Sequence, residues 1–163
     1  MRRNPWIVPA IGLLTAAFFA SAEVPAGGPP PNQAKRIESI VDQAAALVAE
    51  KGEKAFPEFR VRGSRWFNGF TYVFVDDMAM VSLVNGPRPQ LEGRNVMDLK
   101  DASGHVFHRE WVKLLETQDA AWVSYLWPRP GDHRPTRKWT YIKKVSSGGR
   151  AFVVGAGVYR KGS

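Results

Sequence analysis

Apolar residues recur at helical spacing from Ile37 through Ile40, Val41, Ala44 and Leu47 to Val48, while Glu38, Asp42, Glu50, Lys51 and Lys54 fall off that stripe. One apolar face against a charged one predicts an amphipathic helix over residues 35–55, ended near Pro57. The period then changes. Thr71-Tyr-Val-Phe-Val75 is aromatic and β-branched, Asp76-Asp77 reads as a turn, and Met80-Val-Ser-Leu-Val84 returns, which predicts a hairpin. The breakers in Asn85-Gly-Pro-Arg-Pro89 mark a loop, and a short helical turn fits residues 95–99. From Val106 to Leu115 a second helix is expected, with Phe107, Trp111, Leu114 and Leu115 on one side. Three more strands follow at 121–127, 138–145 and 151–159, the first two separated by the Pro- and Arg-rich PRPGDHRPTR. No internal repeat is visible. This order predicts an α+β fold: a five-stranded antiparallel sheet with a long N-terminal helix and helices packed on it.

The first residues bear on compartment. A basic Met1-Arg2-Arg3, an apolar stretch from Trp6 to Ala20 and the small residues of Ala20-Ser21-Ala22 compose a secretory signal, cleaved after Ala22. The other reading is an uncleaved anchor, since Trp6 to Ala22 is 17 residues, near the lower limit of about 17–25 for a spanning helix. Pro9 and Gly12 weaken it as a helix. Cleavage leaves a Pro/Gly-rich tether at 23–34, one domain at 35–160 and a tail at 161–163, working in the periplasm or outside the cell. With no cysteine in the chain, disulfides, thiol nucleophiles and thiolate metal sites are all excluded. The domain must be held by its core alone.

Charge is uneven. Residues 23–128 carry 12 Lys/Arg against 14 Asp/Glu, whereas residues 129–163 carry 9 basic residues and only Asp132. A basic end on a slightly acidic body implies an anionic ligand or partner, or else solvated strand faces and a frayed tail. Export takes the protein away from nucleic acid.

Five local motifs resemble those of the single Cache domains (type 2), the PAS-like extracellular sensors of bacteria. They are Tyr72-Val-Phe-Val-Asp76; Gly93-Arg-Asn-Val-Met-Asp-Leu-Lys-Asp101 with Gly104 after it; Trp122-Val-Ser-Tyr-Leu-Trp-Pro128; Lys138-Trp-Thr-Tyr-Ile-Lys-Lys-Val145; and Val154-Gly-Ala-Gly-Val-Tyr159. They run in the family's order over about residues 37–160. The resemblance implies a PAS-like Cache fold with a pocket between the sheet and a covering loop-and-helix segment. It implies no cofactor and a small organic anion such as acetate, propionate, pyruvate or lactate. Occupancy would be read by a membrane receptor or sensor kinase. Such domains often precede a membrane helix; this chain ends three residues after Arg160 and is expected to be a free-standing version, not itself membrane-spanning once cleaved. It departs from the family at Leu83-Val84, where a histidine beside a proline is frequent, so a more apolar pocket is expected.

A carboxylate needs a cationic or multi-donor clamp at one end and apolar walls elsewhere. Strand alternation puts Tyr125 and Trp127 on one face, Trp122 and Ser124 on the other. The resemblance assigns Tyr125, Trp127, Lys138 and Tyr141 to the pocket, but alternation sets Lys138 and Tyr141 on opposite faces unless a bulge intervenes. Tyr72, Arg94 and Lys100 complete the ligand-binding candidates. Tyr72, Tyr125 and Trp127 read equally well as aromatic core, Lys100 as the partner of Asp98 or Asp101, and Arg94 as plain surface. Gly93, Gly104, Gly155 and Gly157 read as backbone and packing requirements, not as a nucleotide fingerprint.

An enzyme is not expected. His105 and His108 have one-face spacing with Glu110 near, but lack a third firm ligand and do not form H-E-x-x-H. Ser64, Ser82, Ser103 and Ser124 show no G-x-S-x-G setting. The rival to a ligand sensor is an interaction protein that docks its basic C-terminal region on an acidic protein or anionic surface. In that reading Leu83 and Met80 fill the pocket.

Overall fold

The computed structural model describes residues 27–160. The expected export signal, the start of the expected tether and the expected tail at 161–163 lie outside these residues.

Helix α1 runs Pro31–Lys51 and so begins inside the expected tether. Pro31 has no N–H to lose at a helix start, and the amides of Gln33 and Ala34 both donate to the Pro30 carbonyl at 2.9 Å. It stops earlier than expected because Gly52 takes φ 57°. A 3₁₀ turn (Gly52–Ala55) and a short helix α2 (Phe56–Phe59) continue the chain, and Pro57 opens α2 instead of ending α1.

All five expected strands form. They are β2 (Thr71–Asp77), β3 (Ser82–Asn85), β4 (Ala120–Pro128), β5 (Pro135–Ser147) and β6 (Arg150–Tyr159). A sixth, β1 (Phe67–Asn68), is a two-residue strand pairing with the start of β2, too short to show any alternation. The sheet order is β1-β2-β6-β5-β4, with β3 also on β2, and every pairing is antiparallel. Helix α3 spans Phe107–Thr117. The helical turn expected at 95–99 is instead a β-bridge from Asn95 to Val81 followed by a tight turn.

Each strand sends alternate residues to two cores. On one face α1 lays Ile37, Val41, Ala44 and Val48, all at 0% exposure, against Val73, Val75, Trp122, Tyr141, Phe152 and Val154. On the other, α3 and the segment from a 3₁₀ turn (Pro89–Leu91) to the start of α3 cover Tyr72, Phe74, Val123, Tyr125, Ile142 and Val153. Full burial of one such aliphatic side chain contributes about 1.5–3 kcal/mol, so both helices are held by their apolar stripes.

The covering segment is stitched down by backbone and by one acid. Ser82 N donates to Arg94 O at 2.9 Å, Gly93 N to Ser82 O at 2.7 Å and Val96 N to Met80 O at 2.7 Å. Asp101 Oδ1 accepts from Ser103 Oγ at 2.6 Å and from the Ser103 and His105 amides, while Oδ2 accepts from Leu126 N on β4 at 2.9 Å. Partial burial pulls the Asp101 carboxyl up, but these bonds outweigh it and hold it at about 2.

Candidate ligand site between the sheet and the covering segment

Under that segment lies a small cavity. Its room for the centres of water-sized spheres is about 30 Å³, two or three such positions at about 10–15 Å³ each. Most of its lining is buried; only Asn85, Leu91, Leu99 and Trp127 are partly exposed.

The sheet supplies the chemistry. Lys138 on β5 is 1% exposed, donates from Nζ to Tyr72 Oη at 3.0 Å, and forms no salt bridge with any described carboxylate. Its Nζ lies 4.2 Å from the Tyr72 ring centre and 5.5–5.8 Å from those of Phe74, Tyr125 and Tyr159. Burial alone favours the neutral amine, and the Tyr125 and Tyr72 oxygens outweigh it, so the group stays an ammonium. Tyr125 stacks on Phe107 at 4.1 Å between centres, and its hydroxyl accepts from Thr140 Oγ1 at 3.3 Å. Burial pushes the Tyr125 phenol up, leaving it a neutral donor.

Beneath Phe74 and Lys138, β6 carries Gly155 and Gly157, which leave room for those side chains. A Cβ at Gly155 would stand 2.3 Å from the Phe74 ring, and one at Gly157 would stand 2.4 Å from Trp139 O and 2.9 Å from Lys138 Cε. The lysine folds into the room that Gly157 leaves.

Two further titratable groups enter the wall. Asp76 is 3% exposed; burial pushes its carboxyl up to about 7, with the Ser82 hydroxyl and Lys138 working against that rise and Asp77 adding to it. His108 is 5% exposed and pushed down to about 4 by burial, a backbone contact with Val96 opposing weakly. Four buried polar side-chain atoms lack a hydrogen-bond partner among the described residues, and three belong to this wall: Asn85 Oδ1, His108 Nδ1 and Trp111 Nε1. Buried polar groups are normally satisfied. Such a concentration around a small cavity marks a surface shaped for something polar.

Of the seven expected ligand-binding residues, Tyr72, Tyr125, Trp127 and Lys138 line this cavity. Tyr141 does not. No bulge interrupts the β4–β5–β6 register at 138–141, so Tyr141 points to the α1 face beside Trp122, where burial with Asp42 and Glu38 nearby pushes it up to about 12. Arg94 is exposed and contributes only its carbonyl to β3. Lys100 is exposed and outside the wall. Asp76, Asn85, His108 and Trp111 were not anticipated there. For His108 a signal existed, since it falls on the buried stripe of α3 with Phe107, Trp111 and Leu115.

The rival plugs are elsewhere: Leu83 packs toward α1, and Met80 is buried but does not line the cavity. Part of the basic stretch is engaged within the domain, while Arg134 and Arg137 stay exposed. Lys143 pairs with Asp42 at 2.6 Å, Arg150 with Glu53, and Lys144 Nζ donates to Leu115 O at 2.6 Å. His105 meets exposed Glu110 at 2.5 Å, and no three His, Asp or Glu gather among the described residues.

A single antiparallel sheet with a long helix on one face and a small cavity under a covering segment on the other defines an α+β architecture with a partly enclosed site. The Cache domain family model matches residues 34–162, and the chain belongs to that family. Over 88 residues it is 31% identical to the methyl-accepting chemotaxis protein McpP of Pseudomonas putida, a stretch that is 54% of this chain and 16% of that receptor. A periplasmic sensor domain of a chemotaxis protein superposes with a TM-score of 0.65 at 26% identity, over 80% of this chain and 96% of the other. A Cache chemosensory domain described for carboxylic acid recognition superposes at 0.66 with 24% identity, over 80% and 95%. The first two are a chemotaxis receptor and the sensor domain of a chemotaxis protein, and the third shares the fold. No described helix is long and apolar enough to cross a membrane.

Proposed function

We propose that this Cache domain binds a short monocarboxylate of two or three carbons in the cavity beside Lys138, as a periplasmic sensor whose occupied form is read by a membrane receptor or sensor kinase. One observation carries the reading: a fully buried lysine with no carboxylate within salt-bridge distance, in a wall that also holds unpartnered polar atoms. An unpaired buried charge costs several kcal/mol, and a ligand carboxylate offsets that cost. Tyr72, Tyr125 and Trp111 add donors, Phe74 and Phe107 apolar walls, and the volume favours acetate or propionate over larger acids. Ligand contacts under the covering segment would shift its population toward the closed form, the change a partner can read. The export signal at 1–22 and the chemotaxis relatives support the location and the partner class.

The test is native mass spectrometry of the protein from Glu23 onward, purified without added ligand, followed by thermal shift against acetate, propionate, pyruvate and lactate. A co-purified acid or an upward shift with the smaller acids supports the reading. Melting indifferent to all four, with nothing co-purified, removes it.

A further inference from the structure

The wall that holds the ammonium also holds an acid. Asp76 and Lys138 line the same cavity on β2 and β5 yet make no salt bridge. Around Asp76, β2 offers Asp77, whose Oδ1 is engaged by the Ala79 and Val81 amides at 2.9 and 2.8 Å, and Tyr72. β3 offers the Ser82 hydroxyl and β6 only Val153, while α3 offers His108, held neutral by burial. The covering segment offers Val96 and Leu99, and β4 offers Tyr125. Among the described residues, Lys138 is therefore the one cation lining the cavity.

A monocarboxylate entering this space meets one positive and one negative group. With about 30 Å³ of room, the ligand cannot stand far from Asp76, and two carboxylates sharing a site do not both stay ionised. We propose that carboxylate binding here is proton-coupled: the anion becomes the charge partner of Lys138, and Asp76 takes one proton from solvent and faces the ligand as a neutral carboxylic acid. Burial already holds the Asp76 carboxyl at about 7, so the proton is easily gained near neutral pH. The site then reads anion and proton together, and ligands carrying a positive charge in place of a carboxylate are disfavoured by Lys138.

This inference rests on the carboxylate reading, and the experiment separates the two. Acetate, propionate, pyruvate and lactate are titrated calorimetrically into the protein from Glu23 onward at pH 6.0, 7.0, 8.0 and 8.5, in pairs of buffers with different ionisation enthalpies. Expected are close to one proton taken up per acid at pH 8.5, close to none at pH 6.0, and affinity falling about tenfold per pH unit above 7. Asp76→Asn, which keeps a donor and cannot ionise, should lose both the uptake and the pH dependence. Binding of an acid without proton uptake, with affinity flat from pH 6.0 to 8.5, overturns the coupling and leaves the carboxylate reading standing. Heat-silent titrations with all four acids at every pH remove both.

Discussion

The two faces of this sheet are built from alternating residues of the same strands, yet they obey different rules. On the α1 face, Trp139 and Tyr141 of β5 join an apolar stripe whose helix residues reach 0% exposure. One residue away on the strands, Lys138, Thr140, Asp76 and Ser82 are buried on the other face, where α3 adds buried His108; three of these are titratable. The first face is optimised for packing density. The second gives up packing for a polar cavity and leaves donors and acceptors unmatched. What distinguishes a binding face from a core face is thus not burial, which is equal, but the presence of polar atoms that the fold itself does not satisfy.

The contrast can be broken by substitution. Phe59→Ala, on a side chain at 0% exposure in the α1 core, should cost about 3–5 kcal/mol of stability in denaturant unfolding. Acid affinity measured well below the transition should be unchanged. Lys138→Met should do the reverse: about 2–4 kcal/mol of binding lost, some 30- to 1000-fold by calorimetry, with unaltered or raised melting temperature because an unpaired buried charge is gone. A weaker fold with intact binding after Lys138→Met would dissolve the distinction.

The cavity face should also show opposed titrations. His108 moves from an ordinary 6.5 to about 4, so the unfolded chain takes the proton first and stability falls as pH drops from 6.5 toward 4. Asp76 moves from 3.8 to about 7, so the folded chain holds the proton longer and stability falls as pH rises from about 4 to 7. At about 1.4 kcal/mol per unit, each is worth roughly 3–5 kcal/mol at most, and in the native protein they largely cancel. His108→Leu should unmask a stability that declines from pH 4 to 7, and Asp76→Asn one that climbs from pH 4 to 6.5, both by urea unfolding across pH. Identical profiles for the two variants would show that these groups are not buried together.

Smaller effects should follow at the segment that covers the cavity and on the far side of the sheet. Asp101→Ala removes four accepted hydrogen bonds and should cost about 1–3 kcal/mol, with faster amide exchange across residues 93–106. Lys143→Ala breaks an exposed pair with Asp42 and should change stability by no more than about 1 kcal/mol.

Periodicity made most of the framework legible. The alternation in β4 put Tyr125 and Trp127 opposite Trp122, and the same count separated Lys138 from Tyr141, as found. What was hidden depended on single-residue shifts. Asp76-Asp77 reads as a turn, but β2 continues through Asp77 with an irregularity at Val75/Asp76. The turn is held by Asp77 and by Met80 at φ 57°, which frees Asp76 for the cavity. Asn85 looked like a loop breaker because its role depends on chain folded over it from residue 91 onward. Arg94 and Lys100 were drawn in by their charge, and a coil segment has no period from which to tell inside from outside.

The two strand glycines of β6 beneath Phe74 and Lys138 have a consequence for mutational tolerance. Turn glycines such as Gly93 and Gly104 have positive φ and open space around them, so the penalty for replacing them is dihedral and similar for most side chains. Gly155 and Gly157 lie in a strand, outside the left-handed region, and their limit is volume. A saturation map should therefore show graded losses at the turns and an abrupt step at 155 and 157, where even alanine must push Phe74, the β5 backbone or Lys138 aside. The lysine's depth in the site is set by a hydrogen atom on the neighbouring strand.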